Sequence, residues 1–170
     1  MLYKDGVEQS MLRTHMGSID WQTVFKAEVL GMVLAAELRR TERDTCSATI
    51  GDDSHAAILM TRHNKGTPGQ YLVDLFHEQM AAIEWKHAGI ELELRWTPGH
   101  SGVIGNKRAD EEAKKATLSC PCSSGNTSWS AGQLCAKATR RHSRPRHWHS
   151  LRKISQMSPD MQDRPLHAIC

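Results

Sequence analysis

The segment Ile90-Glu91-Leu92-Glu93-Leu94-Arg95-Trp96 alternates apolar and polar residues strictly. It then runs straight into Thr97-Pro98-Gly99-His100-Ser101-Gly102-Val103-Ile104-Gly105-Asn106-Lys107-Arg108-Ala109-Asp110. Period-two alternation demands a strand with one buried face. Pro98, Gly99, Gly102 and Gly105 interrupt regular structure, so that strand must end in a glycine-rich loop. The loop leaves His100 free to move, whereas Asp110, near a helix start, is held by the helix that follows. A mobile acid–base beside a fixed carboxylate suits metal-assisted phosphodiester hydrolysis. Taken alone, a histidine on such a loop is more often a surface residue, and further acids are needed to change that reading.

Two segments supply them. In Val24–Leu38, Ala27, Leu30, Leu34 and Leu38 recur at helical spacing, which predicts a long helix with one buried face. Glu28 falls in its first turn, at the rim of the apolar stripe; its plain role is an acid near the positive end of the helix dipole. The pair Asp52-Asp53 ends the short apolar run Ser47-Ala48-Thr49-Ile50-Gly51 and precedes the helix-like Ser54–Met60. Carboxylates at the carboxyl end of a strand, where a helix begins, lie where open α/β sheets bind ligands. The plain alternative is a helix cap, supplied by Asp53 or Ser54.

Elsewhere the pattern continues to alternate strand and helix. Gly69-Gln70-Tyr71 opens a helix whose Leu72, Leu75, Phe76, Met80, Ile83 and Trp85 form a broad apolar face, with Ala88-Gly89 as its stop. Trp96 is expected to pack in the core rather than to stack on a ligand. Arg62, His63, Asn64 and Lys65 form a polar exit from the second helix, able to approach a phosphate backbone or simply to be solvated.

Four stretches together resemble the type 1 ribonuclease H family, in particular the domain attached to reverse transcriptases of fungal non-LTR retrotransposons. They are Thr23–Glu28, Ile50–Ile58, Pro68–Asp74, and Trp96–His100 through Asn106–Asp110. The resemblance spans residues 1–117 and implies an α/β fold, a central mixed sheet flanked by helices. It also implies two divalent cations, Mg²⁺ or Mn²⁺, and hydrolysis of the RNA strand of an RNA/DNA hybrid. Position by position, Glu28, Asp53 and Asp110 match metal-binding carboxylates, and His100 matches the mobile loop histidine. Two metals about 3.5–4 Å apart activate a water and stabilise the leaving oxygen, and hard carboxylate oxygens suit Mg²⁺.

The family opens with a strand carrying an aspartate, written approximately Thr-Asp-Gly-Ser, that bridges both metals. Here Met1-Leu2-Tyr3 already reads as the second strand, and Lys4-Asp5-Gly6-Val7 as the hairpin turn after it. Asp5 as the first catalytic carboxylate of a shortened sheet is the alternative. The expectation is an N-terminally truncated domain with a weakened metal site, and neighbouring strands left with unpaired N–H and C=O groups. A catalytically impaired nucleic-acid-binding remnant competes with an active ribonuclease. A different nuclease or transposase on the same fold fits the histidine-loop segment less well.

Charge divides the chain near residue 118. Residues 1–117 carry 14 Lys/Arg and 17 Asp/Glu, net −3; residues 118–170 carry 8 and 2, net +6, giving the overall +3. The second part reads as a basic, disordered tail. Its Arg140–His149 cluster could grip phosphates, with Trp148 stacking on a base, and its Ser/Gly/Pro-rich Cys120–Gly132 has the composition of a linker in a longer retrotransposon polyprotein. Cys120, Cys122 and Cys135 with His142 match no structural zinc spacing, and the five cysteines are expected as free thiols of a reducing compartment. Hydrophobic residues make up 39%, ordinary for a globular chain, with no membrane-length apolar run and no signal-peptide core. The expected setting is intracellular and soluble, in nucleus or cytoplasm.

Overall fold

A computed structural model describes residues 1–16, 23–43, 46–62, 68–99, 102–118 and 153–156. They form a mixed α/β arrangement of two small sheets flanked by helices.

The first sheet is an antiparallel hairpin of β1 (Leu2–Lys4) and β2 (Val7–Ser10), with Lys4 opposite Val7. Asp5 and Gly6 make the two-residue turn at φ 53° and 76°, the doubly positive conformation that matches strand twist and favours Asp-Gly. Asp5 is therefore an exposed turn residue. It does not serve as a strand-borne carboxylate.

Helix α1 (Val24–Thr41) is started by Thr23, whose side chain accepts from the Lys26 N–H at 3.2 Å, and ends with Arg39 and Arg40 at the negative end of its dipole. It is apolar on more than one face. Val29, Met32, Val33 and Ala36 are fully buried and belong to the core shared with α3 (Gln70–Lys86), which contributes Val73, Phe76, Met80 and Ile83. Of the stripe read from sequence, Leu30 and Leu38 are buried in the same core, Leu34 packs against it and Ala27 is exposed; Leu30 and Leu34 also border a cavity.

The second sheet runs β3 (Ser47–Asp52), β4 (Glu91–Trp96) and β5 (Lys153–Gln156), all parallel, with Asp52 beside Trp96. Ala48 and Ile50 of β3 and Leu92 and Leu94 of β4 are buried, the period-two signature of the core face. Strand β5 lies inside the stretch expected to be a disordered tail, and that expectation fails for these four residues. Backbone pairing to β4 satisfies N–H and C=O groups that an edge strand leaves open, which composition cannot reveal.

Helix α2 (His55–Met60) is capped by the Ser54 hydroxyl, which accepts from the Ala57 N–H at 3.2 Å. Ser54, and not Asp53, takes the capping role. Trp85, expected on the apolar face of α3, is 89% exposed. Leu72, Val73, Phe76, Met80 and Ile83 already fill the buried stripe, and position 85 falls off it at 100° per residue. No helix among the described residues is long and apolar enough to cross a membrane.

Candidate metal centre

β3 carries the centre of the site. Its buried residues are Ala48, Ile50 and Asp52, so Asp52 continues the core-facing phase instead of pointing to solvent. Asp53 follows at the strand's end, and Glu28 approaches from α1, beyond the first turn in which sequence reading places it, since that turn holds no acid. Single carboxylate oxygens of Glu28, Asp52 and Asp53 all lie within 4.8 Å of one another.

Each acid is held differently. The backbone N–H of Ser54 donates to Asp52 Oδ1 at 2.7 Å. The Asn106 amide donates to Asp53 Oδ2 at 3.1 Å, and the Trp96 indole N–H donates to the Asp53 backbone carbonyl at 3.0 Å. Gly99 closes in from the opposite loop, where an added Cβ would stand 2.9 Å from Asp53 Oδ2. Trp96 thus packs against the core, as expected, and also steers the site.

The crowding of negative charge is visible in the proton affinities. Burial pushes the Asp52 carboxyl up to about 7, with Glu28 and Asp53 adding to the rise and the Ser54 N–H opposing it. Glu28 is raised as well, first by burial and then by the charges of Asp53 and Asp110. Hard carboxylate oxygens at this spacing fit a divalent cation of the Mg²⁺ or Mn²⁺ kind and offer nothing to soft metals. A cation there would relieve the repulsion.

Of the residues singled out from sequence, Glu28 and Asp53 come together. Asp110 lies near enough for its charge to act on Glu28, but its carboxylate is paired with Lys114 at 2.6 Å and stays outside the cluster. Its helix, α4 (Ile104–Leu118), begins earlier than the glycines suggest, because the Val103 carbonyl accepts from the Lys107 N–H at 3.0 Å; Asp110 sits in the second turn. His100 lies outside the described residues, as do His63–Lys65, the Arg140–His149 cluster, and Cys120, Cys122, Cys135 and Cys170. Cys46 is exposed and belongs to no disulfide among the described residues.

Sequence reading names Asp52 only as half of the Asp52-Asp53 pair, outside the metal set, and gives Asn106 no role. The signal for Asp52 was its phase, two residues beyond Ile50 and four beyond Ala48. Nothing local marks Asn106, which acts from 53 positions away.

Comparison of the chain with protein-family models, with curated proteins and with solved structures gives no match.

Proposed function

We propose that the chain is a ribonuclease H-type domain that hydrolyses the RNA strand of RNA/DNA hybrids with the help of divalent cations. The observation that carries the reading is the convergence of Glu28, Asp52 and Asp53 at the carboxyl end of β3. The four sequence stretches named above support it. Bound Mg²⁺ or Mn²⁺ supplies an activated water and charge neutralisation at the phosphate. The chain's own residues then do the positioning. Asn106, Trp96 and Gly99 hold Asp53 in place from three directions, Ser54 fixes Asp52, and His100, next after Gly99 in the sequence, is the proton carrier that the resemblance implies.

A second reading, a nucleic-acid-binding domain with little or no cleavage, is favoured by two specific observations. Asp52 holds a proton up to about pH 7, and Asp110 is tied to Lys114. Both weaken the cation's hold.

The test is cleavage of a labelled RNA/DNA hybrid in Mg²⁺ and then in Mn²⁺, with Asp53→Asn and Asp110→Asn run in parallel. Cleavage by the parent chain that both variants lose supports the ribonuclease. Hybrid binding without cleavage, by a chain shown to be folded, selects the second reading. Absence of both sinks the proposal.

A further inference from the structure

Asn106, in the first turn of α4, connects that helix to the acidic cluster: its amide donates to Asp53 Oδ2 at 3.1 Å. One hydrogen bond adds little net stability and fixes a single point of a helix, so tilt and axial register must be set elsewhere. Glu112 stands six residues on, about 9 Å farther along the axis at 1.5 Å per residue, and is 4% exposed. Its carboxylate forms an ion pair with Arg13, from the segment that follows β2. One turn earlier on α4, Arg108 reaches Glu8 of β2 at 3.5 Å and Glu112 at 3.9 Å. The hairpin side is itself anchored, since Leu2 belongs to the core and Leu12 packs against it.

The two links are crossed in sign. An acid of β2 meets a base of α4, and a base beyond β2 meets an acid of α4. Arg108 and Glu112 are four residues apart, about one helical turn of 5.4 Å. A slide of α4 by one turn in one direction would set Arg108 against Arg13; in the other, it would set Glu112 against Glu8. Like charges repel in both cases, so only the observed register satisfies both links. Burial sharpens the choice, because a carboxylate removed from water is strongly unfavourable without its partner.

We propose that Glu112 is a positioning residue: its crossed ion pairs with the hairpin side fix the register of α4, and through it the place of Asn106 against Asp53. The proposal rests on the reading of the acidic cluster as a cation site. A side chain that orients a metal-binding carboxylate governs cation affinity without touching the cation. Asn106 is such a side chain for Asp53, and Glu112 acts one step behind it.

The test follows the full chain in two ways: the side-chain amide resonances of Asn106 by NMR without metal, and Mn²⁺ affinity by calorimetry. Glu112→Gln should move the Asn106 resonances toward those of a free amide and weaken Mn²⁺ binding about tenfold. Arg13→Gln opens the same pair from its more exposed partner, 38% against 5%, and should act likewise with less risk to folding. Glu111→Gln removes a pair confined to α4 and should leave both readouts as in the parent. In an Asn106→Ala background Glu112→Gln should cost no further Mn²⁺ affinity, whereas a merely structural role would cost it again. Unmoved Asn106 resonances in folded Glu112→Gln and Arg13→Gln overturn the proposal, as does an equal shift in Glu111→Gln. Moved resonances with unchanged Mn²⁺ affinity overturn the link to the cation site. If the parent chain binds no Mn²⁺, the cation reading of the cluster falls, and the metal-free resonances still decide whether Glu112 places Asn106.

Discussion

The indole N–H of Trp96 donates to the backbone carbonyl of Asp53 at 3.0 Å, so the last residue of β4 holds the first residue beyond β3. Thr97 N–H donates to the Asp52 carbonyl at 2.9 Å just beside it. These two bonds carry the strand pairing one step past the sheet, up to the carboxylates. The end of β4 and the acidic cluster are thereby parts of one framework, although 43 residues separate Trp96 from Asp53.

Removing the most perturbed acid should change the pH profile of stability. The Asp52 pKa is raised from 3.8 to about 7, so between those values the folded chain keeps a proton that the unfolded chain has lost. Stability therefore falls as pH rises from about 4 to 7 and levels off above. Asp52→Asn should flatten this slope and leave the variant more stable than the parent at pH 8, by a few kcal/mol at most. Urea unfolding at pH 5 and pH 8 checks it.

A divalent cation should act in the opposite direction. At ten times its Kd, Mg²⁺ or Mn²⁺ stabilises by about 1.4 kcal/mol, a rise of about 3–6 °C in Tm for a chain of this size. Thermal scans at pH 8 should show that rise in the parent and lose it in Glu28→Gln and in Asp53→Asn.

A side chain at Gly99 should disturb Asp53. A Cβ at 2.9 Å from Asp53 Oδ2 must displace the carboxylate, so Gly99→Ala is expected to reduce hybrid cleavage by about tenfold or more, as misplacement of a reacting group does. Its cost in global stability, read from denaturant unfolding, should stay near about 1 kcal/mol.

Arg39, buried with Nε, Nη1 and Nη2 meeting no acceptor among the described residues, is a stability defect. Arg39→Met removes a buried, unpaired guanidinium while keeping an apolar stem, and should raise the unfolding free energy by about 1–4 kcal/mol. A lower value than that of the parent would show that the guanidinium has an acceptor in solution.

Phe76 and Trp85, two of the three aromatic residues of α3, should separate sharply. Phe76 is fully buried and Trp85 is 89% exposed. Phe76→Ala should cost about 3–5 kcal/mol, whereas Trp85→Ala should stay within about 0.5 kcal/mol. Equilibrium unfolding of both variants decides.

Local pattern sufficed wherever one segment's own chemistry chose its structure. The alternation of Ile90–Trp96 specified β4, Asp5-Gly6 specified the hairpin turn, and the helical spacing within Val24–Leu38 specified α1. It failed where several faces compete. On α1 apolar residues run over more than one face, and only packing decided that Val29, Met32 and Val33 join Leu30 and Leu38 in the core while Ala27 stays exposed. On α3 the same competition left Trp85 in solvent.

The sequence by itself determined which carboxylates stand at strand and helix ends, because caps, breakers and period are properties of neighbours along the chain. Tertiary structure alone decided which of them meet. Asp52 joined Glu28 and Asp53 because the pleat of β3 turned it inward, while Asp110 found Lys114 one helical turn away and stayed apart. The pairing of β3 with β4 was likewise decided by tertiary structure, because hydrogen bonds between strands depend on distances that no segment sets alone.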